Sequence, residues 1–306
     1  SYLSLRRLEN DILRETITDS SGTGILGFDE DEFNPIKVSI QQFYGIEIND
    51  FAVAVAKTAI WIAEAQMFKE TEAIIHKEMD FLPLHNNANI HEGNALQLDW
   101  EKIISPFQLS YIIGNPPFAG SKYSSSDQKK DMDLVFKPYS KKYRKLDYVT
   151  SWYVKASEFI KKNNMLKCAF VSTNSISQGE QVGIFWEVLN RFYVDIGFAY
   201  RSFKWDSESI DSAAVHCVIL SIKSKQINDK KYIFSNGGQL IVDNINGYLL
   251  NAPSVEILAR RNSICKGAPK ITKGSQPTDG GHLILSSGEA QILKDKYPKL
   301  IPYIRR

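Results

Sequence analysis

Apolar stripes at helical spacing and short uninterrupted apolar runs alternate along this chain. Leu3, Leu5, Leu8, Ile12 and Leu13 stand among Arg6, Arg7, Glu9, Asp11, Arg14 and Glu15, which predicts an amphipathic helix over Tyr2–Ile17. Ser20 to Asn34 is rich in Gly, Ser and acids and reads as a loop. Ile40–Ile48 reads as a strand, followed by an apolar, alanine-rich helix over Phe51–Phe68. Two short strands follow, Asn89–Gly93 and Tyr111–Gly114, the second an apolar run ending in Gly as in a buried parallel strand. Helices at Tyr148–Ile160 and Gln178–Asn190 then frame a strand at Leu166–Val171. Phe192–Tyr200 and Ala213–Ile222 are strongly β in character, with Arg201–Asp211 as their connection. Alternating helices and strands predict an α/β fold with a parallel sheet, and the last two strands predict a terminal antiparallel hairpin. From Asn251 the composition shifts: a short helix is expected at Val255–Asn262, then a Gly-, Lys-, Pro- and Thr-rich stretch at Cys265–Leu285. The expected division is a first domain over 1–262 and the start of a second over 263–306.

Composition narrows the picture in one direction only. The 306 residues are 43% hydrophobic and 24% charged, which excludes a wholly disordered chain. A net charge of +2 neither demands nor excludes a nucleic-acid partner, so local distribution must decide. Cys168, Cys217 and Cys265 lie far apart, without metal-ligand spacing, so neither a metal site nor a disulfide framework is expected. Lys57 and Glu64 interrupt the apolar stretch Phe51–Phe68, which therefore reads as a helix packed on a sheet and not as a membrane span. The amino-terminal residues lack the pattern of a signal peptide, and a cytoplasmic, nucleoid-associated protein is expected.

The unusual chemistry lies just after Tyr111–Gly114, where open α/β sheets keep their sites. Asn115, Pro116, Pro117 and Phe118 form a loop in which two prolines fix φ and remove two N–H groups. What remains around Asn115 is a set of carbonyl oxygens with few competing donors. An exocyclic amino group suits such a loop, its two N–H bonds pointing at the Asn115 carboxamide oxygen and the Pro116 carbonyl. Accepting both protons frees the nitrogen lone pair for attack on an electrophile. Phe118 would stack on a planar ring.

Asn-Pro-Pro-Phe resembles the catalytic tetrapeptide of N6-adenine DNA methyltransferases, which follows the fourth strand of a Rossmann-like class I sheet and binds the amino group of a flipped adenine. The order of Glu47, Asn94, Asn115 and the late aromatics is similar to that of the large single-chain type II restriction-modification enzymes that join nuclease, methyltransferase and recognition domains. The resemblance implies S-adenosylmethionine as cofactor, with the ribose at Glu47 and Ile48 and the cofactor adenine at Asn94 and Ala95. A carboxylate at a strand end accepts from ribose hydroxyls, whereas an Asn amide offers a donor and an acceptor. It also implies duplex DNA as partner, with Phe203 or Trp205 stacking on the target base opposite Phe118. The basic, aromatic segment Gly120–Leu146 reads as a loop that grips phosphates, with Lys122, Lys141, Lys142 and Lys145 as candidates. The family's Gly-rich turn is not found where it is needed, since Gly22-Thr23-Gly24 follows a helix. The first strand and that turn are therefore expected ahead of Ser1. Two alternatives stay open: transfer to another amino substrate, a protein glutamine or an RNA base, or a DNA-recognition module without catalysis.

Overall fold

The computed structural model describes residues 1–20, 36–75, 88–205, 215–255, 257, 267, 280–282 and 284–304, and the chain divides into two units, Ser1–Leu258 and Ala259–Arg306. Most of the loop expected over Ser20–Asn34, of the helix expected at Val255–Asn262 and of Cys265–Leu285 lies outside the described residues.

In the first unit, α1 (Tyr2–Ser20) precedes β1 (Tyr44–Glu47), α2 (Asp50–Ile75), β2 (Asn89–Glu92) and β3 (Tyr111–Gly114). Then come α3 (Ser126–Phe136), α4 (Thr150–Lys162), β4 (Lys167–Thr173), α5 (Gly179–Leu189), β5 (Val194–Trp205), β6 (Val215–Ser224), β7 (Lys231–Ser235) and β8 (Gly238–Val242). β1 and β2 form a parallel pair, and a six-stranded sheet runs in the order β3-β4-β6-β5-β7-β8. β3 is parallel to β4, while β6 is antiparallel to both β4 and β5, so the expected terminal hairpin is present. In the second unit, α6 (Ser287–Lys296) starts at a capping box between Ser286 and Glu289.

The core lies against the larger sheet. Phe136, Tyr153, Val154, Phe185 and Leu189 on the helices, with Val149 just ahead of α4, meet Cys168, Phe170, Val218, Leu220 and Ile222 on β4 and β6. Tyr153 is fully buried, and its hydroxyl lies 2.8 Å from Ser172 Oγ and 3.2 Å from the Phe170 carbonyl, which satisfies the phenol inside the core.

Four sequence expectations change. Ile40–Gln42 is a 3-10 turn capped by Ser39 rather than the start of a strand, because the Ser39 and Gln42 side chains cap each other's backbone N–H groups. Arg201–Trp205 belongs to β5 and not to the connection, since irregularities between Ile196 and Ala199 and between Tyr200 and Phe203 let the pairing with β6 resume. Gly120–Leu146 is not simply a loop. It contains α3, started by a Ser125–Gln128 capping box and anchored by buried Met132, Val135 and Phe136. β3 is parallel as expected but not buried, with Tyr111 68% and Ile113 62% exposed.

That exposure has a topological cause. Among the described residues β1 pairs only with β2 and β3 only with β4. In a doubly wound sheet of order 3-2-1-4-5, the strand that would separate these two edges is the first. The fold is thus a Rossmann-like α/β arrangement whose strands form two separate sheets, β1-β2 and the six-stranded one.

Candidate active site

The Asn115–Phe118 loop leaves β3 at the carboxyl ends of the parallel strands. Asn115 is exposed, and its carboxamide makes no hydrogen bond among the described residues. Pro116 is buried and Phe118 is half-buried against the main core. The loop is fastened at its next residue: the Ala119 N–H donates to Asp147 Oδ1 at 3.2 Å, and the Ala119 carbonyl accepts from the Tyr148 N–H at 3.0 Å.

A cleft of about 960 Å³ opens beside this loop. Phe118, Ala119 and Gly120 form one wall, Thr173–Ser175 and Gln178 at the end of β4 form another, and Ser202, Val215 and His216 of the hairpin face them. The volume is ample for a planar heterocycle. Tyr123, 88% exposed, lines it too and adds a second aromatic surface beside Phe118. Asn115, Pro116 and Pro117 are not among its lining residues.

Of the two expected stacking partners, Phe203 packs its ring edge-on against Tyr200 with centroids 5.4 Å apart, and Ser202 is the residue of that strand that lines the cleft. The Trp205 side chain lies outside the described residues, though its backbone pairs with Val215.

Glu47 sits at the carboxyl end of β1, half-buried, with Oε1 accepting the Asn49 N–H at 3.0 Å. Its other oxygen has no partner among the described residues, so the carboxylate keeps acceptor capacity for hydroxyl groups. Ile48 beside it is exposed. Asn94 is more committed. Its Nδ2 donates to Asp131 at 2.9 Å while its Oδ1 accepts the Leu96 N–H at 2.9 Å. The half-buried Ala95 gives its carbonyl to Trp100 Nε1 at 2.8 Å. The turn after β2 is thus tied to α3 and to the core before any ligand arrives.

Lys122, Lys141 and Lys142 are exposed and make no ion pair among the described residues. Lys145 instead pairs with Glu180 at 2.7 Å. Among the described residues no cluster of His, Cys, Asp and Glu could hold a metal ion. Cys168 and Cys217 are free and buried, and burial pushes both thiols up. Cys265 lies outside the described residues. α2 is long and apolar enough to cross a membrane, yet here it is the crossover between β1 and β2 and packs against α1.

Sequence reading passed over Asp131, Asp147, Thr173 and Gln178. One signal was available: Asp147 is the only acid between Asp133 and Glu158. Ser125 and Gln128, three apart, likewise mark the start of α3.

Residues 1–235 match the family described as MmeI, DNA-methyltransferase domain. The chain belongs to that family. The MmeI-type domain is 37% identical over 310 residues to DNA methyltransferase A of Bacillus subtilis (strain 168), covering all of this chain and 34% of that protein. It also superposes on the solved structure of the type IIL restriction-modification enzyme MmeI in complex with DNA, with a TM-score of 0.85 and 34% identity, covering all of this chain and 40% of that one. The MmeI-type domain described here therefore spans well under half the length of both relatives.

Proposed function

We propose that this domain transfers a methyl group to the N6 amino group of a flipped adenine in duplex DNA, as the methyltransferase part of a single-chain restriction-modification enzyme. The observation that carries the reading is the Asn115–Phe118 loop: stiffened by two prolines, with Asn115 exposed, fastened at Ala119, and bordering a cleft of about 960 Å³ through Phe118. The DNA in the MmeI structure supports the choice of substrate.

S-adenosylmethionine supplies an electrophilic methyl group when bound. Glu47 fits its ribose, as a strand-end carboxylate with unused acceptor capacity. Asn94 and Ala95 would border its adenine, on a turn whose shape the Asn94–Asp131 bond holds. The chain's residues act on the target amine. Asn115 Oδ1 and the Pro116 carbonyl accept its two N–H bonds, which draws the nitrogen towards tetrahedral geometry and makes its lone pair available. Phe118 holds one face of the ring, and stacking of about 1–3 kcal/mol offsets part of the cost of extrusion. The proton leaves to water once the nitrogen carries its fourth substituent, so no strong base is needed. Lys122, Lys141 and Lys142 contact phosphates around the extruded base.

The test is methylation of adenine-containing duplex DNA by the natural full-length protein, read by mass spectrometry of released nucleosides, with Asn115→Ala alongside. Loss of N6-methyladenine by about 10²–10³-fold in the variant is expected. Normal transfer by Asn115→Ala, or methylation of protein glutamine or RNA in place of DNA adenine, would overturn the reading.

A further inference from the structure

The stiff tetrapeptide stands between two glycines, Gly114 and Gly120. The prolines fix its internal shape, while its direction is set by what holds its two ends, Gly114 in β3 on one side and Ala119 on the other. Direction matters here, because the carbonyls of Asn115 and Pro116 must meet two N–H bonds at once.

We propose that Asp147 is a positioning residue that sets this direction, an inference that rests on the catalytic reading above. Its carboxylate is buried, 1% exposed as a residue, and joins three elements. Oδ1 accepts from the Ala119 N–H at 3.2 Å and from the Val149 N–H at 3.2 Å, and Oδ2 accepts from Thr173 Oγ1 at 2.8 Å. Asp147 is itself held, its N–H donating to Gln181 Oε1 at 3.0 Å and its carbonyl accepting from Thr150 Oγ1 at 2.6 Å. The loop after β3 and the end of β4 are thus coupled through one carboxylate that cannot move freely. Ala119 is the first residue after the aromatic of the tetrapeptide, so the anchor lies directly beside the reacting part of the loop. Thr173 acts through Asp147: its hydroxyl fixes which way the carboxylate faces.

The experiment uses the natural full-length protein with Asp147→Ala, Asp147→Asn, Thr173→Val and the Asp147→Ala/Thr173→Val double variant. Single-turnover transfer is measured at saturating DNA and S-adenosylmethionine, and DNA affinity by fluorescence anisotropy. Asp147→Ala is expected to slow transfer by about 10²-fold and Thr173→Val by about tenfold, with DNA Kd changed less than about threefold. Asp147→Asn keeps an acceptor for Ala119 and recovers part of the rate. In the double variant Thr173→Val adds nothing to Asp147→Ala, because its effect passes through the missing carboxylate. Wild-type transfer in Thr173→Val and Asp147→Ala, or multiplying effects in the double variant, would overturn the proposal. Should Asp147→Ala fail to fold, Thr173→Val decides alone, and a normal rate counts against it. Asn115→Ala, run beside them, separates the two ideas: if it transfers normally the catalytic reading falls, and if it is inactive while the clasp variants are normal only the clasp falls.

Discussion

Asn94 on the turn after β2 donates to Asp131 on α3 across 2.9 Å, tying that turn to the segment that follows the Asn115–Phe118 loop. Asp131 also accepts from Gln97 Nε2 at 2.8 Å and from the Tyr148 hydroxyl at 2.7 Å. Its carboxylate holds the Tyr148 phenol, whose pKa is pushed up by burial first and by that bond second. Tyr148 in turn caps the Ala119 carbonyl, so the two carboxylates Asp131 and Asp147 act on adjacent residues of one segment.

Removing Asp131 therefore strands the buried Tyr148 hydroxyl and the half-buried Asn94 amide, while the exposed Gln97 can turn to water. Asp131→Ala is expected to cost about 2 kcal/mol of stability, read from chemical denaturation, since an unsatisfied buried group costs about 1–3 kcal/mol and the two do not add fully. Asp131→Asn should cost less. A loss below about 0.5 kcal/mol in the alanine variant would mean that the network is not held together at Asp131.

Much of this fold was legible in the sequence because its elements are marked by local chemistry. The stripe of Leu and Ile in α1, the apolar runs of β4 and β6 and the two prolines after Gly114 each announce themselves within a few residues. What escaped was set by distant partners. β3 reads as buried from Tyr111-Ile112-Ile113, yet burial of a strand depends on its second neighbour, which local pattern does not reveal. Basic composition hid α3, although the Ser125–Gln128 cap and the apolar spacing of Met132, Val135 and Phe136 were present. Asn94 looked free to bind a ligand because nothing in its neighbourhood names Asp131, 37 residues on.

Between α1 and α2 a buried polar cluster accompanies the apolar contact of Tyr2 and Met67. Arg6 is fully buried, forms an ion pair with Glu9 and donates to Thr71 Oγ1 at 2.9 Å. Glu64, also buried, is raised above its ordinary value by desolvation, with Arg6 opposing the shift. A carboxyl whose folded pKa is raised binds more protons in the native than in the unfolded state over the window above about 4.5. Stability should therefore fall as pH rises through that window, and Glu64→Gln should flatten the slope. Denaturation of both proteins from pH 4 to pH 7, about half a unit apart, checks this: equal slopes would show that Glu64 titrates alike in both states.

The basic segment offers an electrostatic test. Lys141 and Lys142 have no acidic partner among the described residues, while Lys145 is engaged by Glu180 at 2.7 Å. If the first two meet phosphates, neutralising both should lower the slope of log K against log salt by about 2, close to 1 per contact, and weaken all duplexes alike. Lys145→Ala should change the slope less, because its charge is already balanced. The measurement is anisotropy on a short duplex at several salt concentrations with the full-length protein. An unchanged slope in Lys141→Ala/Lys142→Ala would place the DNA elsewhere.

The open edges of β1 and β3 give the last expectation. A strand edge left unpaired presents N–H and C=O groups to water, and apolar side chains along it are exposed with it, as Tyr111, Ile113 and Ile48 are here. α1 turns its buried polar residues Arg6 and Asn10 towards α2 and leaves Leu5, Leu8 and Ile12 exposed, and α2 exposes Phe51, Val55, Trp61 and Ile62. Apolar area of this extent on one part of a domain marks a surface that something covers. A parallel strand inserted between β1 and β3 would pair both edges, and the order 3-2-1-4-5 assigns that place to the first strand. Hydrogen exchange separates the cases. In the natural full-length protein the amides of Tyr44–Glu47 and Tyr111–Gly114 should all be protected, whereas in a polypeptide of residues 1–306 the outward-facing half of each set should exchange at least about tenfold faster. Equal exchange in the two would mean that no strand enters there, and the cofactor side would then have to be built from the residues described here.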